Sequence, residues 1–246
     1  MSRRTGTARY DATMADDPQV MNRRERLRVQ TLQEIEDTSF AIIDADGVHA
    51  LSIAALARGM AMSAPAVYRY FPSRDALLTH LMTRSYEQLA AAMLEAAEGG
   101  RRTPRVRVRL IVAAYRDWAL RHRRRYGMLF GQRIGGVPGD AGPQTPLDQP
   151  MALLVGLLEA VAAPAPAAGS SGDRTLDGQL REWARARDLP GTSPRAARAA
   201  IVIWTRVHGI VSLELTGMFD NNAVDVQRLI DQEVDNAVQS LAPSTP

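Results

Sequence analysis

Helix-start and helix-stop residues follow one another closely between residues 47 and 73 of this 246-residue chain. Serine favours helix starts because its hydroxyl accepts a hydrogen bond from a free backbone N–H, whereas glycine and proline favour helix ends. The punctuating residues are, in order, Gly47, Ser52, Gly59, Ser63, Pro72 and Ser73. This spacing predicts two short helices joined by a turn of about three residues, the geometry of a helix-turn-helix.

The rest of the chain also has helical periodicity. Leu32, Ile35, Ser39 and Ile43 lie three or four residues apart in a helix that begins near Arg23. A long helix starts after Ser73, and further helices are predicted at 104–123, 124–133, 146–163, 175–188, 194–218 and 224–241. No segment alternates as a strand would. We therefore predict an all-α protein in which an N-terminal three-helix helix-turn-helix domain is joined to a larger helical bundle.

The same patterns predict where the domains begin and end. The polar, non-periodic segment 1–21 is expected to be a disordered tail, residues 22–84 to form the helix-turn-helix domain, and residues 85–246 to form the bundle. The stretch at about 163–174 is rich in proline, alanine, glycine and serine, which predicts a flexible insertion.

Composition excludes several kinds of site. The chain has no cysteine, so disulfides and thiolate metal sites are excluded and a cytoplasmic location is expected. No apolar run of about 18 residues predicts a membrane span, and residues 1–19 lack the apolar core of a secretory signal. The histidines, His49, His80, His122 and His208, show no metal-ligand spacing. We expect neither a metal nor a cofactor.

Charge is distributed unevenly along the chain. The region 101–133 contains eleven arginines and a single acidic residue, Asp117, whereas the region 220–246 is acidic. Charge runs of this kind are usually the solvated faces of helices, and that is how we interpret them.

The second short helix carries Tyr68, Arg69 and Tyr70 side by side. At 100° per residue, Val67 and Phe71 share the face that points to the core, which leaves the tyrosines and the arginine at the surface and the edge. Tyrosine hydroxyls and helix starts such as Ser52 and Ser73 bind phosphates, arginine binds phosphate or guanine, and alanine allows close approach to thymine methyls. This chemistry favours a DNA-binding surface over a packing face.

The stretch "LSIAALARGMAMSAPAVYRYFPSRDALL" resembles the DNA-binding domain of the TetR family of bacterial transcriptional regulators, over residues 23 to about 84. The resemblance implies that Tyr68, Tyr70 and Arg74 contact phosphates. It also implies that Ser63, Ala64, Pro65, Ala66 and Arg69 face the bases. The alanines offer no hydrogen bonds, so sequence reading would depend on Arg69, Arg58, apolar contacts and DNA shape. Glu36 departs from the apolar residue that the family often has at this position.

The segment "IVIWTRVHGIVSLELTG" resembles the WHG-type C-terminal domain of one TetR subgroup, on Trp204, His208 and Gly209. The family then implies a homodimer through the two C-terminal helices and an effector pocket in the bundle. Apolar faces for the dimer are Ile203, Val207, Ile210, Val211 and Leu215, and Leu229, Ile230 and Val234. Candidate effector-binding residues are Tyr115, Trp118, Tyr126, Phe130, Met151, Trp204 and His208, with Thr205 and Glu214 as further polar groups.

These features predict a ligand-responsive regulator that binds a near-palindromic DNA operator as a dimer and is released by a small-molecule effector. An enzyme is not expected, because the chain has no Walker loop, GxSxG, HExxH or cysteine nucleophile. The alternative is a helical ligand-binding or scaffold protein whose helix-turn-helix does not function. Repressor and activator both stay open, and repression is the commoner habit of the family.

Overall fold

The computed structural model of the protein describes residues 22–99, 102–131, 145–162, 174–221 and 223–241, in which all regular structure is helical. The α-helices are α1 Arg23–Asp46, α2 Ile53–Gly59, α3 Ala64–Tyr68, α4 Arg74–Ala97, α5 Pro104–Arg121, α6 Arg123–Phe130, α7 Asp148–Val161, α8 Arg174–Arg185, α9 Pro194–Leu215 and α10 Val226–Gln239. The all-α prediction is confirmed. The predicted disordered tail at 1–21 and most of the predicted insertion at 163–174 lie outside the described residues.

Most of the sequence signals for helix ends act as expected. Ser52 Oγ accepts from the Ala55 N–H and Ser73 Oγ from the Ala76 N–H, so both serines cap helices. The prediction for Ser63 was wrong, since its side chain makes no capping hydrogen bond to α3. In the turn after α2, the positive φ belongs to Ala61, at 51°. Gly59 serves packing instead, because a Cβ there would lie 3.0 Å from Thr38 Cγ2 on α1.

One hydrophobic core holds α1, α2, α3 and the first half of α4 together, and we call this unit the head. Ile35, Leu56 and Val67 are fully buried at its centre. Phe71 closes the core beside Val67, as the sequence predicts. Met128 on α6 belongs to the same core, so the unit is packed against the rest of the protein.

A second core fills the bundle formed by the second half of α4 with α5, α6, α7, α9 and α10. This core corrects one argument made from the sequence. Ile203, Val207 and Val211 on α9, and Ile230 and Val234 on α10, are buried within a single protomer. Their apolar periodicity therefore reflects the core of the bundle, and only the outer surfaces of α9 and α10 are left for a partner.

By length and composition alone, α9 is apolar enough to cross a membrane. Core helices of water-soluble folds meet the same criterion, and α9 packs against α5, α7, α8 and α10. We therefore interpret α9 as the central core helix of the bundle.

The arginine-rich region is less solvated than its composition indicates. Arg105 and Arg109 both bind Asp235 on α10, at 3.0 and 2.6 Å. Arg116 on α5 makes two hydrogen bonds to the Glu214 carboxylate of α9, and its side chain is 18% exposed. Much of this charge therefore links helices of the bundle and is not a free surface for a partner.

Candidate nucleic-acid interface and ligand cavity

The exposed face of α3 is the face that the sequence predicts. Tyr68 is 52% exposed, Arg69 and Pro65 are exposed, and Val67 on the opposite side is completely buried. Tyr70 is half-buried and packs against the core of the head, which fixes its ring at the edge of α3. The structure ends α3 at Tyr68, earlier than the sequence predicts, so Arg69 and Tyr70 lie just after the helix. The surface therefore presents the Tyr68 phenol at the end of α3 and the Arg69 guanidinium beside it, with Val67 buried behind them.

Small side chains surround these groups at the start of α3. Ser63 is exposed, and Ala64 and Ala66 are half-buried, so no bulky group stands between the backbone of α3 and an approaching surface. Arg58 is exposed near the end of α2. Helices α2 and α3 are in contact, and their exposed groups include two arginines, Arg58 and Arg69.

Arg74 has a structural role that sequence reasoning missed. Its Nε donates to the Leu51 carbonyl at 2.7 Å, and its Nη2 donates to the Val48 carbonyl at 2.9 Å. These bonds tie the start of α4 to the segment between α1 and α2. The predicted phosphate contact of Arg74 would thus have to be made by the remaining N–H groups of a guanidinium that is already held.

A buried charged cluster lies between α1 and α4, behind α3, which is the predicted recognition helix. The carboxylate of Glu36 on α1, a residue only 5% exposed, binds Nε2 of His80 at 2.8 Å and Nε of Arg84 at 3.1 Å, both on α4. The His80 ring also contacts Phe71, with centroids 5.1 Å apart. This cluster explains how an acidic residue occupies a core position of α1, and it fixes α4 against the end of the recognition helix.

The bundle contains a cavity of about 410 Å³ between α4, α7, α8 and α9, and the cavity is partly open to solvent. Its described lining consists of Met93, Thr145, Leu147, Asp148, Pro150, Met151, Leu154, Trp183, Arg187, Ile201 and Trp204. Volume and apolar character are those of a small-molecule site. Met151 and Trp204 were predicted to bind an effector, whereas Trp183 and Arg187 were missed because nothing in the sequence indicates that α8 covers this space.

Beside the cavity, a cluster of hydrogen-bonded hydroxyl groups surrounds His208. The Tyr115 and Tyr126 hydroxyls lie 2.8 and 3.0 Å from His208 Nδ1, and the Tyr126 hydroxyl lies 2.9 Å from Ser212 Oγ. Burial raises the pKa of both tyrosines and lowers the pKa of His208. The cluster is therefore neutral near pH 7, and we call it the tyrosine–histidine cluster.

Aromatic contacts connect this cluster to the cavity. The Trp204 ring lies 5.2 Å from the Tyr115 ring and 6.0 Å from the His208 ring, and Phe130 contacts the same group. Five of the predicted effector residues thus lie in one contact group, and Trp204 belongs both to this group and to the cavity lining.

Trp118 does not line the cavity, since its ring contact is with His122, and Thr205 is exposed. Glu214 is held by Arg116.

Helix α6 contacts both the head and the tyrosine–histidine cluster. Arg125 hydrogen-bonds the Asp44 carboxylate with its Nε at 3.0 Å and lies 4.0 Å from the centre of the Phe40 ring, both on α1. Met128 is buried in the core of the head. The neighbouring side chain of Tyr126 points into the tyrosine–histidine cluster. One short helix therefore connects the tyrosine–histidine cluster to α1.

Comparison with protein families decides the class of the molecule. Residues 35–81 match the family described as bacterial regulatory proteins, tetR family, and residues 108–237 match the tetracyclin repressor-like C-terminal domain. The chain belongs to the TetR family of bacterial transcriptional regulators. The family predicted from the sequence is confirmed, and the narrower WHG-type prediction is not decided by these matches.

Individual relatives agree with the assignment. The chain is 28% identical to the HTH-type transcriptional regulator Mb1846 of Mycobacterium bovis over 183 residues, which cover 70% of this chain and 75% of that protein. The solved structure of the regulatory protein SCO4313 matches with a TM-score of 0.72 and 32% identity over 89% of this TetR-family chain and 100% of that one. A TetR variant from Acinetobacter baumannii AYE matches in fold alone, with a TM-score of 0.52 and 17% identity over 83% and 92% of the two chains.

Proposed function

We propose that this TetR-family regulator is a ligand-responsive repressor of the cytoplasm. A homodimer binds a near-palindromic operator through the two α3 helices, and a small molecule in the bundle cavity releases it. The observation that carries the proposal is the position of α6. Its Tyr126 belongs to the cluster beside the cavity, and its Arg125 and Met128 hold α1 of the head.

The DNA contacts follow from the exposed groups of α2 and α3. Tyr68 and Tyr70 bind phosphates through their hydroxyls, and Arg69, exposed at the C-terminal end of α3, binds a base edge or a phosphate. Ala64 and Ala66 allow α3 to lie close to the bases. Backbone N–H groups at the capped starts of α2 and α4, at Ser52 and Ser73, bind the phosphates on either side of the groove.

Dimerisation uses the outer surfaces of α9 and α10, since their inner faces are buried. Three large apolar side chains are exposed near this end of the bundle, namely Leu213 at 44%, Met218 at 57% and Val224 at 46%. Covering them removes apolar area from water, which favours association. A two-fold axis through this surface places two recognition helices on one DNA duplex and makes the operator a near-palindrome.

Release follows if the ligand binds one arrangement of α6 more tightly than another. A ligand against Trp204 changes the packing of Phe130 and Tyr126, and α6 transmits that change to α1 through Arg125. The distance between the two heads of the dimer then changes, and the operator binds less tightly. The loss of operator affinity is limited by how much more tightly the ligand binds one arrangement of α6 than the other. The A. baumannii TetR variant of the same fold was solved in complex with minocycline, which supports a small-molecule site in this architecture.

Selection of random duplex DNA by the purified protein tests the proposal, with a Tyr68→Phe/Arg69→Ala variant alongside. We expect the wild type to enrich a near-palindromic motif that the variant does not enrich. No enriched motif, or the same motif with both proteins, would show that the helix-turn-helix does not function and would leave a ligand-binding or scaffold protein. An enriched motif without symmetry would contradict the dimer.

A further inference from the structure

The bundle cavity is apolar almost everywhere and charged at one place. Among the described lining residues, Asp148 and Arg187 are the only charged ones. Trp183 and Trp204 add two flat aromatic walls to the same space. A cavity of about 410 Å³ with this lining fits a compact ligand that has an apolar body and one polar end. The charge that the cavity favours at the polar end of a ligand depends on whether Asp148 or Arg187 has more hydrogen-bonding groups without a partner.

Asp148 makes one short hydrogen bond within the protein. Its Oδ2 accepts the Thr145 N–H at 2.6 Å, and its Oδ1 lies 3.7 Å from Arg187 Nε. As the first residue of α7, its carboxylate is also stabilised by the positive end of the helix dipole. The backbone at the start of α7 thus stabilises this carboxylate independently of Arg187, so it gains less from a ligand cation than a carboxylate without such a partner would gain.

Arg187 has donors to spare. Its guanidinium carbon lies 4.5 Å from the centre of the Trp183 ring, and within the described part of the chain its hydrogen bonding is limited to the Trp183 carbonyl, at 3.5 Å from Nη1. The 3.7 Å distance to Asp148 is too long for a hydrogen bond. A guanidinium carries five N–H donors in a planar fork that suits a carboxylate. The groups available to a ligand at the charged end of the cavity are thus the N–H donors of a cation.

We propose that the cavity binds a compact apolar carboxylate, with its body against Trp183 and Trp204 and its carboxylate on Arg187. This ligand class deepens the proposed function and rests on it, because it concerns the same cavity. On binding, the carboxylate takes the free donors of Arg187 and lies close to Asp148, so Asp148 disfavours the ligand that Arg187 favours.

Calorimetry of the 246-residue protein with three matched probes tests the charge preference. The probes are 2-naphthoate, 2-naphthylmethylammonium and 2-naphthalenemethanol, which share a flat body and differ in the charge of the polar end. We expect 2-naphthoate to bind roughly tenfold more tightly than the alcohol, and the ammonium most weakly. If the ammonium or the alcohol binds as tightly as 2-naphthoate, or if none binds at millimolar concentration, the proposal is overturned.

Two variants should change the affinity for 2-naphthoate in opposite directions. Arg187→Met should weaken 2-naphthoate binding roughly tenfold and leave the alcohol unchanged, whereas Asp148→Asn should strengthen 2-naphthoate binding. Arg185→Met is the matched control, since Arg185 is the last residue of α8, two positions before Arg187, pairs with Glu182 and does not line the cavity. Equal 2-naphthoate affinities of the Arg187→Met variant and the wild type would contradict the proposal that Arg187 binds the carboxylate.

The test separates ligand class from regulation because it contains no DNA. If 2-naphthoate binds with this pattern but leaves operator affinity unchanged, the proposed release mechanism fails and the ligand class holds. If another small molecule releases the operator while 2-naphthoate does not bind, the release mechanism holds and the ligand class fails.

Discussion

One buried polar cluster lies in the head and another lies in the bundle, and the two clusters differ in charge. In the head, the carboxylate of Glu36 is held by His80 and Arg84. In the bundle, Tyr115, Tyr126 and His208 form a hydrogen-bonded group that burial keeps neutral. Removing the partners of a buried carboxylate leaves an uncompensated charge, whereas removing a neutral partner leaves an unsatisfied hydrogen bond. Loss of the polar partners should therefore lower the free energy of unfolding more in the head than in the bundle.

The largest effect is expected when Glu36 loses both partners. A His80→Leu/Arg84→Leu variant should lose about 3 kcal/mol of unfolding free energy, measured by urea denaturation, because the carboxylate stays buried. Adding Glu36→Leu should restore most of the loss by removing the charge itself. A triple variant no more stable than the double variant would show that packing, and not charge, dominates this site.

A smaller effect is expected in the bundle. Tyr115→Phe removes a hydroxyl that contacts both Tyr126 and His208 and should cost about 1–2 kcal/mol in the same assay. Tyr86→Phe is the matched comparison, since the Tyr86 hydroxyl makes one long hydrogen bond, 3.3 Å to the Leu129 carbonyl, and should cost less. Equal losses in both variants would contradict a cooperative cluster around His208.

The contact of Arg125 on α6 with α1, which joins the bundle to the head, should contribute about 1 kcal/mol to the free energy of unfolding. Arg125→Met removes the ion pair with Asp44 and the contact with the Phe40 ring, and should lower the melting temperature by roughly 2–4 °C. Arg123→Met changes an exposed neighbour on α6 and serves as the control. A melting temperature unchanged in both variants would argue against α6 as a link between the regions.

The smallest effect is the pH dependence of stability that comes from His208 in the tyrosine–histidine cluster. Burial lowers the pKa of His208 below its ordinary value, so the unfolded chain binds the proton more readily than the folded protein does. The stability from neutral His208 is present above about pH 6.5 and is lost as pH falls through the lower folded pKa. The melting temperature of the wild type should therefore fall more steeply below about pH 6.5 than that of a His208→Gln variant. Parallel curves would contradict this role of His208.

The sequence predicts the head better than the bundle for a physical reason. Caps, proline stops and residue periodicity act within one helix, so the ends of α2 and α4 and the buried face of α3 follow from nearby residues. Periodicity does not say which helix covers a face. Glu36 and His80 are 44 residues apart, and their contact depends on how α4 crosses α1.

The same limit explains what was missed or wrong in the bundle. Trp118 and Trp204 both read as aromatic residues on apolar helix faces, but only Trp204 lines the cavity. Trp183 and Arg187 reach it because α8 packs over α9, which no local pattern indicates. The apolar faces of α9 and α10 were assigned to a dimer, and they fill the core of one protomer because other helices cover them.

The most direct test of the central claim is the affinity of the protein for its selected DNA motif as salt concentration is varied. An Arg69→Ala variant is compared with Arg121→Ala, which removes an exposed arginine at the end of α5, in the bundle. The account predicts weaker binding for Arg69→Ala, with a salt slope reduced by about 0.9 if Arg69 binds a phosphate, or relaxed sequence preference if it binds a base. Arg121→Ala should match the wild type. Equal affinities and slopes for all three proteins would contradict α3 as the DNA-binding surface.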